Sequence, residues 1–392
     1  MPTLVVKASA LLIPIIYLGF ISLGLPDGTL GAAWPKLHKD LAISIGFAGP
    51  LVTIATLLSA VSGFSSVRVI QRFRTAPVVI GSCVLTGSAL IITSQAQGII
   101  WLLIAMVPLG LGAGAVDAGL NGYVARHYSG RHMNWLHACW GIGATCGPLV
   151  MARAITTEAG WRGGYLVLGL AQLTLALLFL VTLRLWAAVP ERPLSSGHAD
   201  LRERSKPLAT ANSFAGWLSA VILALYVAGE FTAGIWAASV LVEARGFSIR
   251  TAGICAAAFY ASITIGRILV GFVVDRFGNR KLVTAGCSLA FAAALLFVFA
   301  SSLPLAAASL ILLGLGLAPI YPCMMHEVPQ RFVPEAVQTV IGRQSGAANL
   351  GSATVPAIAG LLATISVQLV PWVIVVTIVL LALSIRTLNR LT

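Results

Sequence analysis

Twelve residues of the 392 are acidic, and nine of them fall between long apolar runs or at their ends. Asp27, Asp117 and Glu230 do not. A charge at the centre of a bilayer costs roughly 2.5 to 3.5 kcal/mol, so an acid kept inside an apolar run is a candidate for function. A carboxylate partly removed from water takes up a proton more readily, because burial penalises the charged form. Such a group can load a proton from one side and release it to the other. This chemistry suits proton coupling at an intramembrane acid. Counted from the nearest loop charges at about 1.5 Å per residue, Asp27 falls roughly 8 Å to the outer side of the midplane and Asp117 roughly 5 to 6 Å to the inner side. They read as two separate sites. The other reading of each is a structural hydrogen bond to a neighbouring helix, and Pro26 marks a helix break beside Asp27.

Glu230 falls near the midplane, with Arg267 about one turn below it, level with Asp117 and His137. Glu230 and Arg267 form either a fixed ion pair between two helices or a solute site, in which Glu230 accepts from a hydroxyl while Arg267 holds it charged or binds the solute itself. His137 is either a satisfied interior histidine or a proton relay. Asn121, four residues after Asp117 and on the same face, either contacts solute or orients Asp117. Trp140, Trp236 and Tyr321 offer flat apolar surfaces for the C–H faces of a sugar; the alternative is packing or interfacial anchoring. His326, beside Glu327 at a run end, reads as interfacial.

Other chemistries find no residues. The six cysteines lie inside apolar runs with no paired metal spacing, so neither metal nor cofactor is expected. No His-Glu-x-x-His, Gly-x-Ser-x-Gly or phosphate-binding Gly-Lys-Ser/Thr loop occurs, which argues against an enzyme and against ATP-driven transport. Gly110, Gly112 and Gly114 lack the spacing of a dinucleotide loop and read as helix-packing positions, as does the run Gly346 to Gly351. A sodium ion at Asp27 with nearby carbonyls is the alternative to a proton.

The elements that position these residues are apolar helices. Apolar residues make up 58% of the chain and charged residues 9%, against about 25% charged in soluble domains, and mean hydropathy is +0.95. This is an all-α, polytopic membrane protein. Twelve runs of spanning length are expected, near 9–33, 46–67, 76–95, 99–124, 133–154, 163–187, 213–241, 251–273, 282–300, 304–325, 338–363 and 368–385. The first is too long for a signal peptide. The net charge of +13 is spread over short loops, so it reports topology and not nucleic-acid binding. With both termini cytoplasmic, most Lys and Arg fall inside and only Lys36, Lys39, Arg153, Arg162, Arg245 and Arg250 outside, as the positive-inside rule requires. The expected location is a bacterial cytoplasmic (inner) membrane.

The polar stretch 189–212 reads as a cytoplasmic linker between two six-helix bundles, 1–188 and 213–392. The halves repeat at a nearly constant offset. Val69-Ile-Gln-Arg-Phe-Arg-Thr matches Val273-Val-Asp-Arg-Phe-Gly-Asn, and Gly110-Leu-Gly matches Gly314-Leu-Gly, both 204 residues apart. Gly143-Ala-Thr-Cys-Gly-Pro148 matches Gly351-Ser-Ala-Thr-Val-Pro356 at 208.

A six-plus-six repeat with a central linker resembles the major facilitator superfamily. Gly271-Phe-Val-Val-Asp275-Arg276-Phe277-Gly278-Asn279-Arg280-Lys281 is similar to that superfamily's loop signature, which implies a gating role for Asp275, Arg276 and Arg280. In the first half the acid has become Gln71 and the glycine Arg74. Four stretches resemble the fucose permease group of sugar and proton symporters: Gly24-Leu-Pro-Asp27-Gly-Thr-Leu-Gly31, Gly110 to Asn121, Asn134-Trp-Leu-His137-Ala-Cys-Trp140-Gly-Ile-Gly143, and Tyr226-Val-Ala-Gly-Glu230 followed by Trp236. Trp140 departs from the polar amide of that group. The resemblance implies a transporter that moves a small polar solute, a sugar or polyol, with protons by alternating access, and it puts the proton-coupling acids at Asp27 and Asp117, with His137 as the relay; the duplicated chain already contains a complete cavity, so a monomer should suffice. A proton-coupled exporter of amphiphilic compounds shares the fold and is the rival expectation.

Overall fold

The computed structural model describes residues 2–127, 130–187 and 209–392. They form sixteen α-helices: α1 Pro2–Gly24, α2 Thr29–Asp40, α3 Ala48–Phe73, α4 Thr75–Ser94, α5 Ile99–His127, α6 Gly130–Ala154, α7 Gly160–Val181, α8 Leu183–Ala187, α9 Phe214–Ser239, α10 Ile249–Phe277, α11 Asn279–Phe299, α12 Leu303–Leu317, α13 Ile320–His326, α14 Val328–Arg331, α15 Pro334–Ile365 and α16 Val370–Leu391. A single bridge between Ala209 and Phe332 is the one β contact among the described residues. Lipid offers no hydrogen bonds, so spanning backbone must satisfy its own polar groups within helices.

Eleven described segments are long and apolar enough to cross a membrane. The remaining expected span is present as α6; it carries Trp135, His137, Trp140 and Arg153, and it packs between α1 and α10. Much of its surface thus meets protein, which lowers the apolar content it needs. Most of the expected linker lies outside the described residues. Its last residues are held to α15, where Arg343 donates to the Ala211 carbonyl at 2.5 Å and to Asn212 Oδ1 at 2.8 Å.

Two spans are broken where prolines stand. α1 stops at Gly24, and the chain turns through Pro26 and Asp27 before α2 begins. The Thr29 hydroxyl donates to the Leu25 carbonyl at 2.6 Å, and Gln172 Nε2 donates to the Ser22 carbonyl at 2.6 Å, covering acceptors near the break. The tenth span breaks at Pro319, between α12 and α13.

The packing repeats along with the sequence. Gly143 lets α6 press on the Ile21 carbonyl of α1, and Gly351 lets α15 press on the Ala224 carbonyl of α9. Gly110 seats α5 against Ala55 of α3, just as Gly314 seats α12 against Phe259 and Ser262 of α10. A Cβ at any of these positions would collide with the opposing helix. The turns after the second span of each half correspond too: Gly278 has φ 79° and ψ 150°, and Arg74 has φ 66° and ψ 165°. That region suits glycine and costs other residues of order 1 to 3 kcal/mol. Replacing Arg74 with glycine should therefore stabilise the protein by about 1 kcal/mol, seen as a higher midpoint of thermal unfolding in detergent; a lower midpoint would show that the arginine side chain is worth more than the strain.

Candidate functional site

Between the helices of the two halves lies a cavity of about 1400 Å³. Gly278, Asn279 and His326 line its mouth, at the end of the bundle where the chain also terminates beside Arg331. The opposite end is shut. There Gly31 of α2 abuts Gly234 and Ile235 of α9, and Gly49 of α3 abuts Ala357 of α15. Thr53 donates to the Ala353 carbonyl at 2.7 Å, and Lys39 pairs with Glu243 at 2.7 Å, both across the halves.

The cavity gathers most of the candidate residues. Asp27, Asp117, His137, Trp140, Glu230, Arg267 and Tyr321 all line it. The helix break puts Asp27 opposite α6, which comes close because Gly24 has no side chain to hold off the Trp140 backbone. The Trp140 indole donates to Asp27 Oδ2 at 2.7 Å. The same ring lies 5.5 Å from the Arg267 guanidinium, near enough for a cation–π contact, and stands edge-on to Tyr260 at 6.4 Å. Arg267 Nη2 sits 3.5 Å from Glu230 Oε2 and donates to the Tyr226 hydroxyl at 3.0 Å. Tyr226 in turn packs on Tyr321, with ring centroids 5.8 Å apart.

Glu230 is only 3% exposed, yet its Oε1 and the Nε of Arg267 are buried with no protein partner. These atoms are an acceptor and a donor beside a cavity, the pair that a solute hydroxyl can satisfy. His137 meets Phe20 edge-on at 5.7 Å. Asp117 faces the cavity from α5, nearer its mouth.

Not every candidate is there. Trp236 is fully buried outside the cavity, its indole donating to the Pro356 carbonyl at 3.0 Å and its ring against Gly360. It packs α9 to α15 at the shut end, as the helix phase of α9 turns it away from Glu230. The side chains of Asn121 and Asp275 lie outside the described residues. Arg276 is exposed and stacks on its neighbour Phe277 at 5.7 Å. Arg280 approaches Glu327 Oε2 at 3.7 Å, in a cluster where buried Arg331 also pairs with Glu327 and donates to Asn389 Oδ1 at 2.6 Å. The pairing of Glu327 with Arg331, and Tyr226, Tyr260 and Asn349 as parts of the site, are what sequence reasoning missed. Asn349 and Ser345 line the cavity from α15, Asn349 inside the run Gly346 to Gly351 that reads as small-residue packing. A signal existed: Tyr226 and Glu230, like Glu327 and Arg331, are four residues apart and share a helix face.

The chain matches the Major Facilitator Superfamily over residues 16–232 and 208–390. It belongs to that superfamily. One curated relative, "Bypass of stop codon protein 6" of Saccharomyces cerevisiae, is 25% identical over 177 residues, which are 41% of this chain and 35% of that protein, so the match spans about a third of the relative's length. Solved structures share the fold over almost the whole chain. A bacterial homolog of the human lysosomal transporter Spinster, inward-facing and occupied, superposes with a TM-score of 0.78 at 15% identity, covering 98% of this chain and 97% of that one. A point mutant of the nucleoside transporter NupG gives 0.74 at 12% identity, covering 95% of this chain and 98% of that one. A D-xylose-proton symporter gives 0.73 at 16%, covering 97% of each. These structures thus share the fold of the superfamily to which the chain belongs.

The glycine contacts at the shut end make closure sterically testable. Gly31→Leu should prevent α2 from meeting α9 and hold that end open. A cysteine at the cavity position Val52, in a background without the native cysteines, should then react at least several-fold faster with a membrane-impermeant thiol reagent applied from that side. Unchanged reactivity would mean that the Gly31 contact does not control access.

Proposed function

We propose that the protein is a secondary active transporter that carries a small polar solute, a sugar or polyol, together with protons by alternating access between its two halves. The observation that carries this reading is the cavity site itself. Asp27 and Asp117 supply two titratable acids in water-accessible positions inside an apolar bundle, and intramembrane acids of this kind mark proton pathways. Glu230 Oε1 and Arg267 Nε supply unpartnered polar atoms for hydroxyls. Tyr321 and Trp140 supply aromatic surfaces.

The charge balance favours a neutral solute. Three carboxylates face one arginine, and that arginine already lies against Glu230 and Tyr226. A carboxylated solute would have to displace Glu230 to find a cation. The resemblance to the fucose permease group supports sugar transport, and the D-xylose-proton symporter shares the fold. The distribution of Lys and Arg supports cytoplasmic termini, and hence a cavity open to the cytoplasm; a bacterial inner membrane is the setting that goes with the fucose permease resemblance. One chain contains a whole cavity, so a monomer suffices.

The test uses purified protein in liposomes with a trapped pH dye and a panel of hexoses, deoxy sugars, polyols and inositols. One or more solutes should trigger proton entry. Asp117→Asn should cut that entry at least tenfold, while exchange of labelled for unlabelled solute, which needs no net proton movement, persists. Silence across the panel, from protein that moves a lipophilic cation against a pH gradient, would replace the sugar symporter with an exporter of amphiphilic compounds.

A further inference from the structure

The acid in the first half and the ion pair in the second are not separate features. Asp27 sits in the break of the first span and Arg267 in α10, and one side chain touches both. The Trp140 N–H ends on Asp27 Oδ2 at 2.7 Å, and the face of the same ring lies 5.5 Å from the Arg267 guanidinium. Beyond Arg267 come Glu230 at 3.5 Å and the Tyr226 hydroxyl at 3.0 Å. Tyr260 closes the ring's edge at 6.4 Å. The sequence suggests Trp140 as an aromatic platform for solute, but its nitrogen is already committed to a carboxylate.

We infer that Trp140 is a positioning residue that transmits the protonation of Asp27 in the first half to the Arg267–Glu230 pair in the second. The inference rests on the proposal that Asp27 binds the coupled proton. An indole nitrogen can donate but not accept, and a bond to a carboxylate is charge-assisted, roughly twice as strong as one to a neutral group. A proton arriving on Asp27 therefore loosens Trp140. The ring is then free to tilt, which changes its contact with Arg267 and so the orientation in which Arg267 and Glu230 meet a solute. When the proton leaves, the charge-assisted bond re-forms and restores the ring.

The ionisable groups that line the cavity with Asp27 include Asp117 on α5, His137 on α6, Tyr165 on α7, Tyr226 and Glu230 on α9, Arg267 on α10, and Tyr321 and His326 on α13, with Tyr260 of α10 edge-on to the Trp140 ring. Trp140 differs from all of these in that its effect operates through a hydrogen bond and not through charge. Substitutions that preserve charge can therefore isolate it.

The experiment reads Asp27 directly. Infrared difference spectra of the full protein in lipid, recorded across pH, contain a carboxylic C=O band that Asp27→Asn removes. In Trp140→Phe, which keeps an aromatic ring over Arg267 and loses the N–H, the midpoint of that band should move upward by about one pH unit, the size expected from losing one charge-assisted hydrogen bond. Arg267→Lys keeps the charge and loses the planar stack. It should move the midpoint when Trp140 is present and leave it unmoved in the Trp140→Leu background, a non-additive pair. A midpoint unchanged in Trp140→Phe, or Arg267→Lys shifts that simply add, would overturn the inference. A ring that merely fills space would give those results. The outcome is separable from the transport reading: proton-independent solute movement in the wild type, with the band shift and non-additivity intact, would remove Asp27 from coupling and leave the Trp140 connection standing.

Discussion

An arginine inside an apolar bundle is tolerable only if its charge is met, and the site is built around meeting it. Arg267 has Glu230 at 3.5 Å, the Tyr226 hydroxyl at 3.0 Å and the face of Trp140. Breaking such a pair leaves an uncompensated buried charge, which costs several kcal/mol. The requirement fixes the relative positions of α6, α9 and α10. It also commits both halves to a common site, since Trp140 comes from one and Arg267 from the other. Any solute that enters must compete with or complete this arrangement, in which Glu230 Oε1 and Arg267 Nε have no hydrogen-bond partner.

The remaining architecture serves that site. Glycines at repeat positions draw α6 onto α1 and α15 onto α9, which brings the cavity-lining faces within reach of one another. The break at Pro26 turns Asp27 out of helical register and into contact with Trp140. At the shut end, close glycine contacts and the Lys39–Glu243 pair join the halves. The ion pair, with Lys39 exposed and Glu243 partly buried, is of the kind worth less than about 1 kcal/mol, so the joint is held mainly by the packing of α2 on α9 and of α3 on α15.

Much of this was legible in the sequence because lipid makes polar residues conspicuous. Asp27, Asp117, Glu230 and Arg267 stand out against apolar runs, and all four line the cavity. The repeat offsets were legible as well, and the paired glycines show what the repetition is for. Trp236 was misleading because tryptophan is ordinary packing material in an apolar helix, and composition cannot report helix phase. Asn349 was hidden inside a run of small residues. The Trp140 contacts could not be read at all, since they join residues 113 and 127 positions apart across three helices. The fold depends on local composition and repetition; the coupling of the site depends on tertiary approach.

Alternating access through this one cavity is tested most directly by distances across the halves. Spin labels at Thr157 and Arg250 report the shut end, and labels at Arg74 and Lys281 report the mouth. Adding transported solute at acidic pH should shorten the Arg74–Lys281 distance and lengthen the Thr157–Arg250 distance in the same protein. Distances that stay fixed, or that lengthen together at both ends, would contradict a transporter that works by exchanging one closed end for the other.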